Sequence, residues 1–155
     1  MKYYISNRGN LTRVNAHREN TPDYIKEAIY KGFDCVVDVF VSEGVLYSVR
    51  SQQHMYILGD DFIAKHRRRL WLRCEDYETV NHILINYPGV KCFINSVSQV
   101  TSNGAIWTYH YNLESTDLSK TIMSMPEWNK WKTTDNALGV SSDYIQYIRN
   151  YYMGV

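Results

Sequence analysis

Phe33 to Val41 reads F-D-C-V-V-D-V-F-V, and its β-branched and aromatic residues predict a strand. The Glu43-Gly44 pair that follows is a turn signal, and Val45 to Arg50 returns to strand-like composition, so the two runs form an expected hairpin. Just upstream, Thr21-Pro22-Asp23 opens a helix: Thr caps it, Pro suits the first helical position and Asp complements the positive end of the dipole. Within that helix Ile25, Ala28 and Ile29 share a face, and Gly32 after Lys31 is its stop. Lys2 to Ser6 reads as a strand before a polar loop.

The same alternation continues toward the C-terminus. Asp60 to Lys65 predicts a short helix, Leu70 to Cys74 a strand, and Tyr77 to Asn86 a helix with Val80, Ile83 and Leu84 on one side, ended by Pro88-Gly89. Further strands are expected at Lys91 to Ile94, Ala105 to Tyr109, Thr121 to Met125 and Ala137 to Val140, and a last helix from Ser142 to Tyr151. Strands separated by helices favour parallel pairing through right-handed crossovers, and about seven or eight of them in series predict an α/β chain curling into a barrel. A typical (β/α) barrel takes about 250 residues. With 155, this chain is expected to form a small or incomplete TIM-type barrel, with several helices reduced to turns. No repeat, linker or low-complexity stretch divides it, so residues 1–155 read as a single domain.

Lysine plus arginine total 17 against 16 acidic residues, which leaves a formal charge of +1 and no global field for nucleic acid or an anionic membrane. Cys35, Cys74 and Cys92 each lie in an apolar run without C-x-x-C spacing, so buried, reduced thiols are expected rather than disulfides or a zinc site. The start M-K-Y-Y-I-S lacks an apolar leader, and no apolar run approaches the roughly 18 residues of a membrane span. A soluble, cytoplasmic protein is the expectation, and the sequon Asn10-Leu11-Thr12 is then accidental. The basic run Lys65-His66-Arg67-Arg68-Arg69 is expected to be a solvated loop, with nucleic acid not a partner. Trp128 and Trp131, in a polar loop after Pro126, are the aromatic residues free to meet a ligand or partner. His17, His54, His66, His82 and His110 share no metal-ligand spacing, and no G-x-S-x-G elbow surrounds Ser51, Ser141 or Ser142.

Four stretches taken in order, I-S-N-R-G-N (Ile5 to Asn10), R-E-N-T-P-D-Y-I-K-E-A-I (Arg18 to Ile29), G-F-D-C-V-V-D-V (Gly32 to Val39) and G-V-L-Y-S-V-R-S (Gly44 to Ser51), resemble the glycerophosphodiester phosphodiesterase family. L-W-L-R-C-E-D, T-S-N-G-A-I-W-T-Y, M-P-E-W and G-V-S-S-D-Y-I add later blocks similar to its short bacterial and viral members, which leaves a viral source, and then a host cytoplasm, open. The resemblance implies a phospholipase-C-like phosphodiesterase barrel. It also implies two histidines as general acid and base, and carboxylates holding magnesium or calcium to neutralise the phosphodiester.

Departures from that pattern carry the functional expectation. The first histidine position is Asn7, an amide that transfers no proton near neutral pH; the H-D pair is Arg50-Ser51, and guanidinium is no base; the E-x-D pair keeps Asp38 but has Val36 for the glutamate. The strand that should bring a further metal ligand followed by lysine has Arg73 and Glu75. One carboxylate is a poor site for a hard cation, so the family metal is expected to be lost, with no cofactor and no metal ligand set. What remains is a mouth of Asn7, Arg8, Asp38, Arg50, Arg73 and Glu75, with Trp107 beside them, expected to bind a phosphorylated small molecule such as a nucleotide, or a protein partner, without cleaving it. Two alternatives stand beside this pseudoenzyme reading. One is an active metal-dependent phosphodiesterase with His17, His54 or His110 relocated into the chemistry; His17 lies on the loop after the first strand, from which it can reach back over the site. The other is an interaction or assembly protein that keeps only the scaffold.

Overall fold

The computed structural model describes residues 1–114 and 117–155. The Val-rich run forms strand β2 (Asp34–Ser42), almost wholly buried, as an apolar run covered on both faces must be. Its neighbours in the chain are β1 (Tyr3–Asn7), α1 (Pro22–Tyr30), β3 (Val45–Ser51), β4 (His54–Ile57) and α2 (Asp60–His66). Then come β5 (Leu70–Cys74), α3 (Tyr77–Asn86), β6 (Lys91–Ile94), β7 (Ser98–Val100), β8 (Ile106–Thr108), β9 (Thr121–Ser124), β10 (Gly139–Ser142) and α4 (Ile145–Met153). Short 3-10 turns cover Leu118–Lys120 and Pro126–Asn129. Thr21 caps α1, its hydroxyl accepting from Tyr24 N at 3.3 Å, and Asp76 caps α3 by accepting from Thr79 N at 2.8 Å.

Among the described residues, ten strands belong to one mixed sheet. Its parallel series runs β8, β9, β10, β1, β2, β5, β6, so the first strand of the chain lies between the second and the last. The hairpin β3–β4 rises from the upper half of β2, on the edge whose lower half pairs with β1. Glu43 and Gly44 both have positive φ at the turn, the geometry a two-residue hairpin requires. The chain is therefore α/β, as expected, but the sheet is not closed: β6 and β8 are not paired. Across that seam Ser102 N donates to Cys92 O at 2.8 Å, and Ser102 Oγ accepts from Cys92 N at 2.9 Å.

Alternation along the strands separates two environments. Cys35, Val37 and Val39 of β2 meet Ile25, Ile63 and Ile83 of α1, α2 and α3. On the opposite face, Ile5, Val36, Trp71, Phe93, Trp107 and Ile122 form an inner cluster from six strands, with Trp107 stacked on Phe93 at 4.6 Å. A second outer cluster sets Phe33, Met123 and Val140 against Ala28, Ile145 and Ile148. Full burial at roughly 25 cal/mol per Å² of apolar surface makes these clusters the main stabilising term. The three cysteines are buried and free, and burial pushes the Cys35 thiol up to about 12.

Several boundaries differ from expectation. Strands β4 and β7 have no counterpart in the sequence reading, because their alternation is weak and they exist as antiparallel additions to edges. β10 starts at Gly139 rather than Ala137, since Leu138 O is already engaged by Lys2 N and Tyr3 N. Helix α4 starts at Ile145 rather than Ser142, because Ser142 and Asp143 are tied to Glu127 instead. Leu84 is exposed; the buried side of α3 carries Thr79, Val80 and Ile83, with Thr79 Oγ1 accepting from Val41 N at 3.0 Å. Lys65 and His66 finish α2, with His66 buried against Phe62, while Arg67, Arg68 and Arg69 are exposed as expected of a solvated loop. Among the described residues no helix is long and apolar enough to cross a membrane.

Candidate functional site

Two residues beyond the inner cluster on each strand, the same sheet face turns polar. Asn7 follows Ile5, Asp38 follows Val36 and Arg73 follows Trp71, all at the C-terminal ends of parallel strands. Asp38, Arg73 and Asn7 are each buried, and Asp38 collects three N–H donors: Arg8 Nε at 2.6 Å, Arg73 Nε at 2.5 Å and Asn20 Nδ2 at 2.9 Å. Arg73 also donates from Nη1 to Tyr109 Oη at 3.0 Å and from Nη2 to Asn7 Oδ1 at 3.4 Å. Asn7 Nδ2 and Asn10 Nδ2 both donate to Asp143 Oδ1 at 2.8 Å, and Asn10 Nδ2 lies 2.7 Å from Glu19 Oε1.

Burial by itself would raise the Asp38 carboxyl, but the charge and hydrogen bond of Arg73, then Arg8 and Asn20, outweigh it and lower it to about 2. The same pairing raises the Arg73 guanidinium against its own burial. Glu127 shows the opposite balance: burial pushes its carboxyl up, although Asp143 N and Ser142 Oγ donate to it at 3.0 and 2.9 Å.

Backbone strain gathers in the same place. Arg8 and Asn20 have φ of 57° and 59°, left-handed values costly for residues with a Cβ, and each is fixed by a main-chain bond: Arg8 N to Val36 O, and Asn20 N to Arg8 O. Gly9 continues the turn at φ 96°, where a Cβ would meet the Tyr24 ring at 2.6 Å. Met125, Lys130 and Trp131 are also left-handed, on the segment that carries Glu127. Apart from Glu43 in the hairpin turn, every left-handed non-glycine residue among those described lies in one of these two segments.

Of the residues expected at the mouth, Asn7, Arg8, Asp38 and Arg73 come together. Arg50 does not join them: its Nη1 donates to Ala16 O and His17 O at 3.5 and 3.2 Å, because the hairpin carries it over the loop after β1. Ser51 lies on the exposed hairpin with its Oγ 2.9 Å from His54 Nδ1. Glu75 is exposed, one residue past the end of β5. Trp107 and Val36 are fully buried in the inner cluster, a layer beneath the mouth, so Trp107 is a core residue and not a mouth residue. His17 and His110 are exposed and outside the charge network, and so is the His54 ring.

The network also contains Glu19, which the sequence offers with Asp38 as an ion-pair partner of Arg8, and five residues the sequence does not single out as site residues: Asn10, Asn20, Tyr109, Glu127 and Asp143. All six sit inside the quoted blocks: Asn10 in I-S-N-R-G-N, Glu19 and Asn20 in R-E-N-T, Tyr109 in T-S-N-G-A-I-W-T-Y, Glu127 in M-P-E-W and Asp143 in G-V-S-S-D-Y-I. Asn10, set aside as an accidental sequon, is fully buried with three side-chain hydrogen bonds, to Glu19, to Asp143 and from Asn15 N.

The central carboxylate of the set is neutralised by two guanidiniums, which compete with a divalent cation for its oxygens. No protein-family model matches the sequence, and no curated protein or solved structure matches it either.

Proposed function

We propose that this chain is a non-hydrolysing protein of the glycerophosphodiester phosphodiesterase kind, an incomplete barrel whose former active site binds a phosphorylated small molecule without cleaving it. The observation that supports this reading best is the Arg8–Asp38–Arg73 triad. Two permanent cations stand on the one carboxylate that the family pattern retains, and no imidazole accompanies them. An amide, two guanidiniums and a carboxylate held near pKa 2 supply neither an acid nor a base near neutral pH. Arg8 is the group that a ligand meets. Its side chain is 40% exposed, and among the described residues its contacts beyond the Nε bond to Asp38 are limited to 3.5 Å from Nη1 to Glu19, so part of its fork faces outward.

Glu19 and Asp143 offset the arginines, so anion affinity rests on the directed fork of Arg8 rather than on a positive field. That same compensation favours a second reading, a scaffold whose mouth is sealed by its own ion pairs. Two assays separate the readings. Bis(p-nitrophenyl) phosphate and glycerophosphocholine are offered with magnesium, calcium or chelator, and melting is followed with glycerol 3-phosphate added. The proposal expects no turnover and a metal-independent rise in Tm, of the size set by about 2.7 kcal/mol at a hundredfold excess over Kd, that Arg8→Ala abolishes. Metal-dependent turnover overturns it in favour of an enzyme. No shift with any phosphate monoester leaves the scaffold reading.

A further inference from the structure

Trp128 is 71% exposed, yet its ring is stacked on Tyr109, with centroids 5.6 Å apart and planes at 18°. A large ring left in water on a slack loop would fold back onto apolar surface; this one is clamped outward. Its 3-10 turn is bounded by left-handed Met125 and Lys130, closed by Trp128 N to Met125 O at 2.9 Å and Trp131 N to Pro126 O at 2.8 Å. Glu127, the residue before it, is moored to Ser142 Oγ and Asp143 N. Strain held in place by redundant bonds is the signature of a preformed site.

Beside the ring pair lies a cavity of about 490 Å³, within the range of small-molecule sites, walled by Asn95, Ser96, Tyr109, His110, Trp128 and Asn129. Two carboxamides, a hydroxyl and an imidazole offer both donors and acceptors around an aromatic face, which is the chemistry that holds the edge and plane of a heterocyclic base. Tyr109 joins this cleft to the mouth: its ring carries Trp128 and its hydroxyl accepts from Arg73 Nη1.

We propose that the Tyr109–Trp128 cleft seats the base of a nucleoside monophosphate, in layered contact with Trp128, while the phosphate lies on the Arg8 side of the mouth. The phosphate half rests on the function proposed above; the base half does not.

Titration of the full chain with AMP, adenosine and ribose 5-phosphate, by calorimetry, tests the two halves separately. AMP is expected to bind more tightly than ribose 5-phosphate. Trp128→Ala should weaken AMP about tenfold or more, because stacking on one aromatic ring is worth that much and tolerates any base. Trp128→Phe should retain most of the affinity, and ribose 5-phosphate should bind Trp128→Ala as it binds the parent. Equal affinity for AMP and ribose 5-phosphate, or AMP binding indifferent to Trp128→Ala, overturns the base seat and leaves the phosphate reading standing. Adenosine binding that depends on Trp128, without any binding of ribose 5-phosphate, keeps the base seat and overturns the phosphate reading. Failure of all three ligands at millimolar concentration overturns both.

Discussion

Two adjacent layers of the same strands behave as opposites. In the lower layer Ile5, Val36, Trp71 and Trp107 are fully buried and apolar; in the upper, Asn7, Asp38, Arg73 and Tyr109 follow at two residues' remove and carry the charge and hydrogen bonds. The lower layer stabilises by area and is non-directional. The upper is stable only as a set, since each charge is tolerable in the interior because its partner is there. Adjacent positions on one face of a strand can thus differ in the way they fail when altered.

The largest expected effect tests the lower layer. Trp107→Ala should cost about 4 kcal/mol in urea denaturation, the loss typical of a buried tryptophan, without changing ligand binding at the rim. Arg73→Ala comes next, at about 3 kcal/mol, because it leaves Asp38 buried with Arg8 as its remaining ion-pair partner. Combining Arg73→Met with Asp38→Leu should recover most of that loss. If the double variant is no more stable than Arg73→Ala, the upper layer is not a mutually dependent set and the contrast fails.

Of the two layers, acid should act on the upper. The Asp38 carboxyl lies below its ordinary 3.8, so the folded state keeps it ionised where the unfolded chain takes up a proton. Its contribution, on the order of 2 kcal/mol, is fully present above about pH 4 and is lost as pH falls through about 2. Glu127, raised by burial, works in the other direction and weakens the fold as pH climbs past its ordinary 4.5. A pH series of urea midpoints should show a steep loss between pH 4 and 2 in the parent, and a shallower one in Asp38→Asn. The smallest effect is expected at Ser124 and Ser141, whose buried hydroxyls have no hydrogen-bond partner among the described residues. Changing either to Ala should shift stability by less than about 1 kcal/mol.

The contrast between layers also marks how far the sequence could be read. β2, β5 and α1 were legible because Val, Ile and Trp at periodic spacing, with Thr-Pro-Asp at a helix start, are signals of local physics. Asn7, Arg8, Asp38 and Arg73 were singled out by the resemblance, and Asn7, Asp38 and Arg73 lie toward the same ends of parallel strands. Arg50 and Trp107 were misplaced for a different reason. Where Arg50 points depends on how a hairpin leans over a loop far away in the chain, and Trp107 lies a layer below the mouth, where Tyr109, two residues on, takes the place expected of it. Asn10 and Asp143 were invisible because their partners, Glu19 and Asn7, are specified by tertiary approach alone.

The seam between β6 and β8 has a dynamic consequence. Along most of the sheet, neighbouring strands are held by ladders, but here Phe93 and Trp107 face one another as stacked rings, with Ser102 supplying two hydrogen bonds to Cys92. Ring contact is forgiving of small displacements where a ladder is not, so this is the line along which the structure should breathe. Amides of β6 should exchange with deuterium sooner than those of β1, which is paired on both sides, and a small quencher should reach Trp107 before Trp71.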